Sequence, residues 1–294
     1  MIKRAVVTGA TGFIGNHLVR SLAQQGWNVH ALKRSSSSID SLSDLREVHW
    51  HDVDSSSLEL IWETIGHANV VYHLATNYGR NDQPASEVAR TNLLFPLQML
   101  ELADRHEVPL FVATDTCFPD SYPYLRNYTL TKKQFAQWGR VWAEQTGRRF
   151  FNVALQHPFG PGDRNGKFVP WIIQQCLSNV DSIELTEGNQ QKDFIYVADV
   201  IEALFVLESQ QSIVPEGCHQ IPCGTGVAIS LRTFVEMVHD LTKSSSKLLF
   251  GAIPNREGEV TLSCANTDLL ENLGWKATRS VADGIRLTIA EISN

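Results

Sequence analysis

With 294 residues, 43% of them hydrophobic and 19% charged, the chain has enough apolar material for a sizeable core, which excludes a disordered protein and fits one large domain or two smaller ones. A formal charge of −7 argues against a general nucleic-acid binder. No stretch reaches the roughly 18 apolar residues of a membrane span, and the first apolar run is too short for a signal peptide. The five cysteines have no C-x-x-C spacing, so neither a disulfide framework nor a metal site is expected, and the location expected is cytoplasmic.

In chain order, the pattern predicts strands at Ile2–Thr8 and Trp27–Lys33 around a helix at Gly12–Gln25. A strand at Glu47–Trp50, a helix at Ser57–Thr64 and a strand at Val70–Ala75 follow. Next come a long helix at Pro84–His106, a strand at Leu110–Ala113, a helix at Tyr124–Thr146 and a strand at Phe150–Leu155. Strands alternating with helices of this length imply a parallel sheet covered on both faces. After the loop signal Gly160-Pro161-Gly162-Asp163 the texture is less regular, with helices expected at Phe168–Asn179, Ala198–Ser209, Leu231–Leu241 and Val281–Ile292. The expected organisation is a first domain over 1–160, to which some later segments return, and a smaller mixed α/β lobe over 161–294.

The first strand runs into Thr8-Gly9-Ala10-Thr11-Gly12-Phe13-Ile14-Gly15, a G-x-x-G-x-x-G turn between a strand and a helix. Gly9 permits the tight turn, Gly12 lets backbone approach a pyrophosphate, and Gly15 lets helix and strand pack closely. Thr11, Phe13 and Ile14 belong to the same phosphate-binding segment. This marks a Rossmann-type, doubly wound sheet binding a dinucleotide. Strand two ends at Lys33-Arg34-Ser35, where an NAD site would carry an acid for the ribose 2′-hydroxyl. Two cations suit a 2′-phosphate instead, so NADP (NADPH) is the expected cofactor and NAD the alternative. Asp52-Val53, after strand three, is placed to contact the adenine.

Tyr128-Thr129-Leu130-Thr131-Lys132 sets a phenol and an amine at i and i+4 on one helix face. A phenol with pKa near 10 is a poor acid–base catalyst at neutral pH, and bringing it near 7 takes about 4 kcal/mol of differential stabilisation. A neighbouring ammonium works in that direction.

These marks, with VVYHLAT at 70–76, TN at 91–92, FGPGD at 159–163, QKDFIYVADV at 191–200 and LGW at 273–275, resemble the extended short-chain dehydrogenase/reductase family of nucleotide-sugar epimerases, dehydratases and reductases. The resemblance covers nearly the whole chain. It implies that Tyr128 is the general acid/base, that Lys132 holds the nicotinamide ribose, and that Thr116 binds the substrate oxygen, with Thr114 as the neighbouring candidate. It further implies cofactor contacts from Leu74, Ala75, Thr76 and Asn92, and substrate contacts from Thr76, Thr116, His157, Phe168 and Arg256. Asp193 reads as a structural anchor, and a homodimer through the helices at Pro84–His106 and Tyr124–Thr146 is a family expectation.

The resemblance also narrows the reaction. The family's 4,6-dehydratases follow the Thr with Asp-Glu, whereas Cys117-Phe118 stands here and can supply neither acid nor base. The segments ATDT at 113–116, NYTLTKKQFAQWG at 127–139 and LQHPFGPGD at 155–163 look like the CDP-abequose/CDP-paratose synthase group, which reduces the C4 ketone of a CDP-3,6-dideoxy-hexulose. The expected function is therefore NADPH-dependent reduction of such a CDP-linked ketone. The alternatives are an NAD-retaining nucleotide-sugar epimerase and, against the presence of both Tyr128 and Lys132, a non-catalytic dinucleotide sensor.

Overall fold

A computed structural model of the chain describes residues 2–119, 122–163 and 166–292. In chain order its elements begin with β1 (Arg4–Thr8), α1 (Phe13–Gln24), β2 (Asn28–Lys33), β3 (Val48–Asp52), α2 (Leu58–Ile65) and β4 (Val70–His73). Then follow α3 (Ala85–Ala89), α4 (Phe95–Arg105), β5 (Leu110–Thr116), α5 (Arg126–Thr146) and β6 (Arg149–Leu155). The chain continues with β7 (His157–Phe159), α6 (Phe168–Leu177), β8 (Ser182–Leu185), β9 (Gln191–Lys192), β10 (Phe194–Tyr196), α7 (Val197–Ser209) and β11 (Gly217–Cys223). Last come β12 (Ile229–Ser230), α8 (Leu231–Thr242), β13 (Lys247–Phe250), β14 (Leu262–Ser263), α9 (Asp268–Asn272) and α10 (Val281–Ile292).

Seven strands make one sheet in the order β11-β6-β5-β4-β1-β2-β3. β1 pairs in parallel with both β2 and β4, β2 with β3, and β4 with β5. From β1 the chain winds outward to β3, then restarts at β4 on the other side. This is the expected Rossmann-type α/β fold, with its switch point between β1 and β4. Ala5, Val6 and Val7 are completely buried, which is why β1 reads as a continuous apolar run instead of an alternating one. α1 buries Gly15, Leu18, Val19 and Leu22, one stripe at helical spacing, and α2 starts where the Ser57 side chain accepts from the Leu60 amide.

The chain divides into two compact units, the first formed by 1–120, 124–154 and 204–221, the second by 121–123, 155–203 and 222–294. The first unit's core is aromatic around α5. Phe111 stacks on Phe150 at 5.7 Å, and both pack edge-on against Phe135. α5 approaches closely enough because residue 139 is glycine: a Cβ there would stand 2.2 Å from the Phe150 ring.

Two expected boundaries move, each for a physical reason. The helix expected over 84–106 is α3 and α4 joined by a π turn at Arg90–Leu94. Pro96, in the first turn of α4, has no amide hydrogen to continue the i→i−4 ladder, and the turn before it widens. β5 runs three residues beyond the apolar stretch, through Thr114, Asp115 and Thr116, all of them buried.

The second unit is built from short pairings: β7 with β10, β9 with β12 and β14, and β8 with β13. Asp193, between β9 and β10, is completely buried. One carboxylate oxygen accepts from the Thr225 amide and hydroxyl, the other from the Gly226 and Ala265 amides. A buried carboxylate is tolerated only with such partners, and this one ties two loops to the β9–β10 segment. Phe194 stacks on Phe234 at 4.1 Å beside it. Among the described residues, no helix is long and apolar enough to cross a membrane.

Candidate active site

The carboxyl end of β5 and the first turns of α5 bring together Thr114, Thr116, Tyr128 and Lys132, all buried. The Thr116 hydroxyl hydrogen-bonds the Tyr128 phenol and also accepts from the Phe118 amide at 3.2 Å. Thr114 faces elsewhere: its hydroxyl donates to the His73 carbonyl, and its own carbonyl accepts from Lys132 Nζ at 2.8 Å. The structure thus sets Thr116, not Thr114, against the phenol.

The charges follow from burial. Tyr128 is held well above the usual tyrosine range, first by burial and then by the neighbouring Tyr78, while the Thr116 hydrogen bond pulls the other way. Lys132 is brought down to about 8 by burial, with Asp115 opposing. Lys132 Nζ gives one of its donors to the Thr114 carbonyl.

Three residues that sequence reasoning passed over shape the site. Asp115 accepts from the Thr116 amide at 2.7 Å and from Asn152 Nδ2 at 2.7 Å, and pairs with Lys133 at 3.1 Å. It fixes the backbone of Thr116 from below. Tyr78 lies with its ring 4.9 Å from that of Tyr128, tilted by 31°, and carries the Arg80 guanidinium 5.2 Å over its face. The polar run closing an otherwise apolar strand and the Lys132-Lys133 doublet were the available signals for Asp115.

Asn92, expected to touch cofactor, is almost wholly consumed as a brace. Its side-chain nitrogen donates to the Asn77 carbonyl and the Thr131 hydroxyl, and its oxygen accepts from the Asn77 amide. The π turn aims it inward, so that it joins the segment after β4 to α5 between Tyr128 and Lys132. In the same segment the Leu74 amide bonds the Thr8 carbonyl and the Ala75 amide bonds the Thr8 hydroxyl. That hydroxyl also meets His73 Nδ1 at 2.8 Å, and burial, with Lys132 adding, keeps His73 neutral.

The glycine turn fits a dinucleotide pyrophosphate. Gly9 has φ +67°, and a Cβ on it would stand 2.6 Å from the Ala75 nitrogen; one on Gly15 would stand 2.1 Å from the Gly9 carbonyl. The Gly12 amide closes the turn onto the Gly9 carbonyl at 2.9 Å, carrying Thr11 on its outside. α1 then starts at Gly12, Phe13 and Ile14 with no side-chain cap and no acid in its first turn, so its dipole faces an anion without competition. The Thr76 hydroxyl is buried without a hydrogen-bond partner among the described residues, a polar atom awaiting a ligand.

The strand-two end differs from expectation. Lys33 pairs with Asp52 at 2.6 Å, and its amine also donates to the Arg34 carbonyl, while the Val53 amide bonds the Lys33 carbonyl. Arg34 is exposed, and its guanidinium has no partner among the described residues. The Ser35 amide and hydroxyl both donate to Asp54, at 2.8 and 2.9 Å.

His157, Phe168 and Arg256 lie in the second unit. His157 is kept neutral down to about 3 by burial, with Lys192 adding. Phe168 opens α6 with its ring 6.0 Å from Trp171. Arg256 is exposed, and nearby Glu259 pairs with Lys192 at 3.2 Å.

The family model of the NAD dependent epimerase/dehydratase family matches residues 5–218. Over 288 residues the chain is 34% identical to a CDP-abequose synthase of Salmonella muenchen, covering 97% of this chain and 96% of that one. A solved UDP-glucose 4-epimerase of Thermotoga maritima, with UDP-glucose, superposes with TM-score 0.85 at 20% identity over 99% of this chain and 98% of that one, a likeness of fold. MoeE5 in complex with UDP-glucose and NAD gives TM-score 0.82 at 25% identity, over 99% and 98%.

Proposed function

The chain belongs to the NAD dependent epimerase/dehydratase family, and on that footing we propose that it reduces the C4 ketone of a nucleotide-linked deoxy-hexulose, with a CDP-linked 3,6-dideoxy-hexulose as substrate and NADPH as reductant. Action on a nucleotide sugar with a nicotinamide dinucleotide is the broader statement that its relatives support. The observation that supports the reductive reading is the cationic end of strand two, where exposed Arg34 suits NADPH, while the buried Tyr128 beside Thr116 is the acid that reductases and epimerases share. A neutral phenol is the acid that a ketone needs as it becomes an alkoxide. The 34% identity to a CDP-abequose synthase supports the nucleotide and the deoxygenated sugar.

In this mechanism the substrate's carbonyl oxygen accepts from the hydroxyls of Tyr128 and Thr116, which polarise it together. Tyr128 gives its proton to that oxygen as the alkoxide develops. A nicotinamide dinucleotide held at the Gly9–Gly15 turn would supply the hydride for C4. Lys132 is cationic below about 8, stabilises the phenolate left behind, and keeps donors beyond the one given to Thr114 for the ribose hydroxyls. Asp115 and Asn92 hold Thr116 and the Tyr128–Lys132 turn in place. Thr76, whose buried hydroxyl has no partner among the described residues, contacts the sugar nucleotide. Leu94, Leu130, Trp138 and Val141, exposed on the helices around α4 and α5, support a homodimer, which a monomer in sizing at micromolar concentration would overturn.

A second reading, an NAD-retaining epimerase, is favoured by the Lys33–Asp52 pair, which removes one of two cations from the strand-two end. NADPH oxidation, followed by absorbance with CDP-, dTDP-, UDP- and GDP-linked 4-keto sugars, separates the two. Consumption with a CDP-linked ketone is expected. No consumption with any of them, together with NAD that co-purifies and never turns over, would establish the epimerase instead.

A further inference from the structure

In a doubly wound sheet the residues at the end of strand two meet the adenosine ribose, where a carboxylate suits a 2′-hydroxyl and a cation suits a 2′-phosphate. By sequence this chain has only cations and hydroxyls there. In the fold, an acid arrives from the neighbouring strand. Asp54, two residues past the end of β3, presents one carboxylate oxygen to the Ser35 amide at 2.8 Å and the other to the Ser35 hydroxyl at 2.9 Å. One backbone N–H and one hydroxyl converging on a single anion is the donor set a phosphate takes. Here the chain's own carboxylate takes it.

The surrounding charges sharpen the point. Lys33 is paired with Asp52, so Arg34 is the strand-end cation without a partner among the described residues. Asp54 is held below the usual carboxylate range, chiefly by the Ser35 amide with burial opposing and the Ser35 hydroxyl and Lys33 assisting, so it is ionised at neutral pH. A 2′-phosphate attracted by Arg34 therefore meets a fixed negative charge that already holds the Ser35 donors. A ribose 2′-hydroxyl meets an acceptor.

We propose that Asp54 is a cofactor-discriminating residue: supplied by β3, its carboxylate occupies the Ser35 donors, opposes a 2′-phosphate and limits the NADPH preference that Arg34 confers. The site consequently takes phosphorylated and unphosphorylated dinucleotides with modest discrimination. The inference rests on the dinucleotide site and not on the choice of sugar or the direction of reaction.

The experiment is direct binding, with no sugar present: titration of NADP+ and NAD+ into the purified protein, wild type and Asp54→Asn, at low and high salt. Asparagine keeps an acceptor for the Ser35 amide and removes the charge. The expected result is an increase of about tenfold in the NADP+-to-NAD+ affinity ratio, most of it tighter NADP+ binding, shrinking as salt rises. Ser35→Ala, which removes one donor and leaves the charge, is expected to move the ratio less than Asp54→Asn does. A ratio within about twofold of wild type, or a parallel weakening of both ligands as from a loosened loop, would overturn the proposal while leaving the dinucleotide site standing. Failure of the wild type to bind either dinucleotide would instead overturn the site itself, and this inference with it.

Discussion

Two strand ends of the same sheet hold their charged groups in opposite ways. Where β5 meets α5, Thr116, Tyr128, Lys132 and Asp115 are buried, each with a fixed partner, and burial itself moves the phenol up and the amine down. Where β2 and β3 end, Lys33, Arg34, Ser35, Asp52 and Asp54 are half-buried or exposed, and their pairings are worth little individually because water and salt screen them. In the proposed function, the first arrangement does the chemistry. In the proposed cofactor reading, the second arrangement bears only on a preference between ligands differing by one phosphate, a choice that a single exposed residue can shift without disturbing the fold.

If that division is sound, the largest effect belongs to the buried end. Tyr128→Phe keeps the ring against Tyr78 and removes the proton donor, so turnover is expected to fall by about a thousandfold with an unchanged melting curve. Undiminished turnover in this variant would break the comparison at its stronger side.

Lys132 gives the next largest effect, with two opposite signs. Unfolded, the amine keeps its proton up to 10.5; folded, it releases it near 8. Between those values the unfolded chain binds more protons, so stability from this group rises with pH, by about 3 kcal/mol across the window. Activity is expected to fall over the same window, as the cation beside the reacting end is lost. Chemical denaturation at a series of pH values reads the first trend, and initial rates read the second. Lys132→Met should flatten the stability trend.

What was legible in the sequence was local. The glycine turn and the Tyr128–Lys132 pair are each contained in one short stretch, and the apolar runs of β1 and β4 announce themselves. Asp115 was hidden because hydrophobicity stops at Ala113 and because its partner Asn152 lies 37 residues away. Lys33 looked free because its partner is fixed by the register that sets Lys33 opposite Asp52, a fact of pairing between strands. The two- to four-residue strands of the second unit carry too few residues for any period to show. β11, with the sequence Gly-Cys-His-Gln-Ile-Pro-Cys, has no apolar run to mark the sheet's edge.

In the middle of β2, away from that exposed end, a buried imidazole sharpens the contrast from the other side. His30 stacks between His49 at 4.8 Å and His51 at 5.2 Å, its Nδ1 2.9 Å from His51 Nε2. Burial first, then His51, His49 and Arg4, bring it down to about 3. As pH falls below 6.5 the unfolded chain takes a proton that the folded one refuses until about 3, so stability drops on the acid side, on the order of 2 kcal/mol by pH 5. His30→Leu should flatten that acid limb in denaturation curves; an unchanged limb would place the loss elsewhere.

The smallest effect distinguishes two adjacent cations that sequence alone treats as equals. Arg34→Ala is expected to weaken NADP+ binding by about fivefold and leave NAD+ unchanged, because it removes an unpaired charge. Lys33→Gln is expected to weaken NADP+ by only about twofold, since its charge is already largely cancelled by Asp52 at 2.6 Å. Titrations of both variants with both dinucleotides measure the difference. Equal losses would mean that the strand end acts as one diffuse field, in which pairing is irrelevant. The edge would then select ligands by total charge, and not by which donors and acceptors the fold leaves open.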